Sequence, residues 1–124
     1  MSQDIIADTL NEIMNAKRSR KNSVIVDRHS KLLLNVLEMA KKYGYIEDFD
    51  TDKTKLKITI GKLNECKVIK PRFNISNSEI EKYRRRFLPA RDMGIMIIST
   101  SKGLMDYEEA MEKNLGGALI AYFY

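Results

Sequence analysis

The chain has 124 residues, 44% of them apolar, which suits one compact domain or two small lobes sharing a core. No apolar run approaches the roughly 20 residues that cross a bilayer. Asp4 and Asp8 stand where a secretory signal would be apolar, and the single cysteine, Cys66, has no internal disulfide partner, so a reducing, cytoplasmic setting is expected and membrane-spanning and disulfide-scaffold classes are excluded.

The first half reads helix, strand, helix, strand, strand. Ile6, Leu10, Ile13 and Met14 fall on one stripe of a helix over residues 4–16. A basic cluster of Lys17, Arg18, Arg20 and Lys21 follows, and Ser23-Val24-Ile25-Val26 has the β-branched composition of a short strand. Asp27-Arg28-His29 forms a turn and Ser30 the N-cap of a second helix, whose buried face is Leu33, Leu37 and Ala40. Gly44 is placed to end that helix in the left-handed conformation, and residues 45–49 resume in extended form. After a turn at residues 51–54, Leu56, Ile58 and Ile60 alternate with Lys55, Lys57 and Thr59, the period-two pattern of a strand wet on one face.

The second half is expected to be mostly β with short helices, giving an α/β (α+β) chain of two small lobes, residues 1–64 and 65–124. Residues 68–73 resemble an edge strand, because Pro71 cannot donate a ladder hydrogen bond. Ser76 with Glu79, and Ser78 with Glu81, both have capping-box spacing, and Pro89 limits how far the arginine-bearing helix can run. Residues 94–99 form a buried strand, Asp106 and Glu109 cap a further short helix, and Gly116-Gly117 ends it before a final strand. Phe49, Phe73, Phe87 and Phe123 fall at core positions, whereas Tyr83, beside the arginines, could stack on an unpaired base.

The chemistry these residues offer is binding rather than catalysis. The net charge of +5 is uneven: residues 62–91 hold 9 Lys and Arg against 3 Asp and Glu, while residues 92–124 hold 2 against 5. Lys70, Arg72, Lys82, Arg84, Arg85, Arg86 and Arg91 suit phosphate, although basic runs also serve as solvated surface. His29 is the only histidine, so neither a serine triad nor a Cys/His zinc site can be assembled, and no Gly-x-Ser-x-Gly elbow surrounds any serine. Ser101-Lys102-Gly103 reverses the order of a phosphate loop, and the adjacent Glu108 and Glu109 diverge by about 100° on a helix. No cofactor, metal or small-molecule substrate is expected. Ser99-Thr100-Ser101, where an apolar strand runs into small hydroxyls, reads either as a turn capped by its own side chains or as a surface for close approach.

Asp4-Ile5-Ile6-Ala7-Asp8-Thr9-Leu10, Ser30-Lys31-Leu32, Gly44-Tyr45-Ile46, Ser99-Thr100-Ser101-Lys102-Gly103 and Gly116-Gly117, in that order, resemble the universal S-eight family of small-subunit ribosomal proteins over nearly the whole chain. Gly61-Lys62-Leu63-Asn64-Glu65-Cys66, Val68-Ile69-Lys70-Pro71-Arg72-Phe73 and Leu88-Pro89-Ala90-Arg91 are similar to its archaeal and cytosolic eukaryotic branch. The resemblance implies two α/β lobes that bind the central domain of small-subunit ribosomal RNA beside neighbouring small-subunit proteins. It carries RNA contact onto Ser99, Thr100, Ser101, Lys102, Gly103, Gly116 and Gly117, and, at the start of the second helix, onto Ser30 and Lys31. Lys70, Arg72 and Arg91 would add phosphate contacts. Lys67 replaces a glycine frequent in that branch, and the loop at residues 50–54 is shorter than usual.

An A-form helix displays ribose 2′-hydroxyls in a wide, shallow minor groove, so small hydroxyls and bare backbone can reach it while flanking cations hold phosphates. That division of labour explains a near-neutral contact loop within an acidic final third. A regulatory module that represses a messenger mimicking the ribosomal site is the alternative reading.

Overall fold

Asp4 opens the first helix, its carboxylate accepting the Ala7 N–H at 3.1 Å, and α1 runs Ile5–Arg18 with Ile6, Leu10, Ile13 and Met14 buried. The computed structural model describes residues 4–70, 72–90 and 93–124. Among them the elements continue as β1 (Ser23–Val26), α2 (Lys31–Lys42), β2 (Ile46–Asp52) and β3 (Lys55–Ile60). Then come β4 (Cys66–Val68), β5 (Asn74–Ile75), a 3₁₀ turn (Asn77–Glu79), α3 (Ile80–Phe87), β6 (Ile95–Thr100), β7 (Gly103–Asp106), α4 (Tyr107–Glu112) and β8 (Gly117–Phe123). The mixed α+β composition and the helix, strand, helix, strand, strand order of the first half are as the sequence predicts. The chain divides into two compact units, one ending at Lys67 and the other beginning at Val68.

In the first unit an antiparallel sheet of order β1-β3-β2 carries α1 against β1 and β3, and α2 against β2. Leu33, Val36, Leu37 and Ala40 of α2 are buried, as are Ile46, Leu56 and Ile58 of the sheet. α2 stops where Gly44 takes φ +86°, which lets Tyr45 N–H reach the Ala40 carbonyl at 2.9 Å. β2 and β3 are joined by Lys53-Thr54 alone, with Lys53 at φ +58° and Asp52 paired to Lys55. Lys67 lies within β4, so no turn occurs there.

The second unit holds β5 to β8, which belong to a sheet of order β4-β8-β6-β7 with β5 also pairing β8. Its core joins Ile75, Ile80, Leu88, Met96, Ile98, Met105, Tyr107, Ala110, Leu119 and Tyr122. α3 ends at Phe87 because Pro89 forces Leu88 into extended backbone, φ −104° and ψ 144°.

Three expectations need correction. Residues 68–73 are not one edge strand: only Val68 belongs to a strand, the end of β4, and β5 begins after the segment at Asn74, each strand too short to be seen as alternation and each placed by its pairing with β8. Pro71 lies outside the described residues. The Gly116-Gly117 pair does not end α4: Asn114, at φ +57°, does so, with Leu115 N–H bonded to the Ala110 carbonyl at 2.8 Å. The Ser78–Glu81 box is not used, since Ser78 lies inside the 3₁₀ turn and Glu79 accepts the Ser76 N–H at 2.9 Å.

Candidate nucleic-acid interface

The β6–β7 hairpin carries the hydroxyl residues. Thr100 pairs with Gly103 across a two-residue loop of Ser101 and Lys102, and Gly103 takes φ +107° with open space where a side chain would project. The Thr100 hydroxyl closes the loop, accepting the Lys102 N–H at 3.1 Å and donating to the Gly103 carbonyl at 2.8 Å. Ser99 and Ser101 take no part: neither hydroxyl has a hydrogen-bond partner among the described residues. The three hydroxyls therefore divide, one holding the turn and two left with unused donors and acceptors. Ser101, Lys102 and Gly103 are exposed and Ser99 is half-buried.

Gly116-Gly117 meets this hairpin. Ala118 pairs with Ser99 on one side and Asn74 on the other, so β8 enters the sheet between β6 and β5. A Cβ on Gly117 would collide with the Ser99 carbonyl oxygen, and one on Gly116 with the Ile75 carbonyl oxygen. Neither glycine has a positive φ. They are glycines because two strands crowd them.

Asn77 fixes the same corner from below, donating its side-chain amide to the carbonyls of Ala110 at 3.0 Å and Leu115 at 2.9 Å. Sequence reasoning missed this residue, whose partners lie more than thirty positions away. Asp106 braces the other side. Its carboxylate accepts N–H groups from Tyr107 at 2.7 Å and Met96 at 3.1 Å, tying the start of α4 to β6. Burial pushes its pKa up to about 6, against the lowering effect of those two donors.

The basic residues sort into two kinds. Arg84 is buried, its guanidinium bonded to the Glu81 carboxylate at 2.8 and 2.6 Å, so it is a structural residue and not a phosphate ligand. Lys82, Arg85 and Arg86 are exposed, with Lys82 5.5 Å from the Tyr83 ring and Arg86 5.5 Å from that of Phe87. Tyr83 is half-buried with Phe73 at 5.0 Å and Phe87 at 6.5 Å, so its ring already has aromatic neighbours. Phe123 is fully buried, while Phe49, Phe73 and Phe87 are only partly so.

Lys70 and Arg72 are exposed in the segment before β5, and the Phe73 carbonyl accepts the Leu119 N–H at 3.2 Å, which anchors the residue after Arg72 to β8 two positions beyond Gly117. Arg91 lies outside the described residues. Ser30 and Lys31 belong to the first unit, where Ser30 caps α2 by accepting the Leu33 N–H at 3.2 Å and Lys31 is exposed. The hairpin and the Gly-Gly corner are thus brought together. Burial pushes the Cys66 thiol up to about 12, which leaves it inert, and no described residues cluster as metal ligands.

The sequence profile of the family described as Ribosomal protein S8 matches residues 4–124. The chain belongs to that family. The small ribosomal subunit protein uS8 of the archaeon Thermoplasma acidophilum is 42% identical over 129 residues, covering 100% of both chains. Protein uS8A of Schizosaccharomyces pombe is 39% identical over 127 residues and 98% of each chain, and uS8A of Saccharomyces cerevisiae 40% over 125 residues, 97% of this chain and 96% of its own. Fungal and archaeal relatives at this level agree with the branch that residues 61–73 resemble. Membership of a ribosomal protein family makes the chain a structural component and not an enzyme. Among the described residues, no helix is long and apolar enough to cross a membrane.

Proposed function

We propose that the chain is a constituent of the small ribosomal subunit that binds the central domain of its RNA and holds a helical region there in folded geometry, in the cytoplasm and beside other small-subunit proteins. The observation that carries this reading is the pair of unused hydroxyls on Ser99 and Ser101, the second exposed at the hairpin tip and the first half-buried within the strand where Gly117 packs on it. Small donors and acceptors beside glycine backbone match the 2′-hydroxyl-lined minor groove of A-form RNA. Lys102, Arg91, Arg72 and Lys70 would supply the flanking phosphate contacts, and Ser30 and Lys31 a further contact from the first lobe. The RNA-binding lobe is residues 65–124 and the remainder an α/β lobe over residues 1–64.

Crosslinking in cells followed by RNA sequencing tests the reading. Crosslinks should fall in the central domain of small-subunit RNA, and the protein should sediment with small subunits. Crosslinks confined to a messenger, with no co-sedimentation, would favour a repressor instead.

A further inference from the structure

β1 is an edge strand, paired among the described residues with β3 alone. The Ile60 N–H bonds the Asn22 carbonyl at 2.8 Å, and Ser23 to Val26 continue that register against Thr59 to Leu56. In an antiparallel ladder hydrogen-bonded pairs alternate with non-bonded ones, so Val24 and Val26 bond to β3 while Ser23 and Ile25 turn their N–H and C=O groups outward. Ile25 is also the most exposed large apolar side chain described, at 62%. A groove runs along this edge between β1 and α1, with Glu12 and Ile25 common to both of its halves.

The charge of the groove opposes that of the chain. Asp8 and Glu12 line it from α1 and Asp27 from the end of β1, and none of the three is ion-paired among the described residues. Its cations, Arg28 and Lys21, stand towards opposite ends. Three unpaired carboxylates repel a polyanion and attract a polycation, and outward backbone groups beside an exposed isoleucine are what an added strand needs.

We propose that the outer edge of β1, with its groove against α1, docks an extended segment of another protein rich in lysine or arginine, which adds to the first sheet as a fourth strand. Backbone bonds to Ser23 and Ile25 hold it, its apolar side chains cover Ile25, and its cations meet Asp8, Glu12 and Asp27. The site lies wholly within the first unit and does not depend on the RNA reading.

The test uses the full chain and a synthetic hexapeptide of alternating lysine and valine, followed by amide hydrogen exchange and NMR shifts. Exchange at the Ser23 and Ile25 amides should slow by about tenfold or more at saturating peptide, because those donors become bonded. A glutamate–valine peptide should have no such effect. Ile25→Pro removes one outward donor while sparing the bonds to β3, and should abolish the protection. Should that variant fail to fold, the combined Asp8→Asn, Glu12→Gln and Asp27→Asn protein should weaken the lysine peptide about tenfold or more. Unchanged Ser23 and Ile25 amides, equal effects from the glutamate peptide, stronger protection by a short RNA duplex, or protection by self-association without peptide would each overturn the proposal.

Discussion

Gly117 is packed so tightly on Ser99 that any Cβ added to it would fall on the Ser99 carbonyl oxygen. The obstacle is backbone, so shortening the Ser99 side chain cannot relieve it. Gly117→Ala should therefore destabilise the protein by about 1–3 kcal/mol, the usual cost of overpacking, and Ser99→Ala in the same chain should not rescue it. Urea midpoints of the three proteins check this. A bulkier Gly117→Val reports on folding first, which makes it a poor probe of RNA approach.

Asp106 gives the stability a pH dependence of unusual sign for a carboxylate. Its folded pKa of about 6 lies above the ordinary 3.8 because burial disfavours the charged form. The folded state then binds the proton more tightly than the unfolded chain. This contribution is complete below 3.8, where the shift at 1.36 kcal/mol per pKa unit makes it on the order of 3 kcal/mol, and it is lost as pH rises through about 6. Asp106→Asn keeps an acceptor for the Met96 and Tyr107 N–H groups but no titration. Its stability should vary less between about pH 4 and 7 than that of the parent, measured by denaturant unfolding across that range.

The arginines of α3 should separate on substitution. Arg84→Gln strips Glu81 of a charge-assisted pair and should cost about 1.5–3 kcal/mol of folding stability. Replacing exposed Lys82, Arg85 and Arg86 by glutamine should leave folding intact. If all three touch phosphate, the log-log salt slope of RNA binding flattens by roughly 0.9 per contact, with discrimination between cognate and scrambled RNA preserved. An unchanged slope would assign these residues to solvent.

The sequence reading groups Arg84 with the phosphate-suited cations, although helical spacing carries the distinction. Arg84 stands four residues after Ile80 and three before Phe87, on the apolar stripe of its helix, whereas Lys82, Arg85 and Arg86 lie off it. Periodicity and capping likewise located α1, β1, α2 and β3, and the left-handed end at Gly44, because each is decided by residues within a few positions of one another. The features that escaped are long-range. β7 is four residues with no alternation, set by its pairing to β6; Asn77 acts through carbonyls of another element; and Gly116-Gly117 looks like a helix terminator until two neighbouring strands are seen against it. The hydroxyl turn was legible as a motif, but not the division of its three side chains, which depends on the Thr100–Gly103 register.

Binding isotherms on cognate and scrambled RNA test the central claim, with the folding of each variant checked by circular dichroism. Ser99→Ala and Ser101→Ala remove hydroxyls that hold no part of the protein, so both should fold as the parent does. Each should nevertheless lose about 1–3 kcal/mol of cognate affinity, with an unchanged salt slope. Thr100→Val, which breaks the two bonds closing the loop, should lower stability as well. If the folded Ser99→Ala and Ser101→Ala proteins bind cognate RNA as tightly as the parent, the hairpin tip is not the RNA contact and the account fails at its centre.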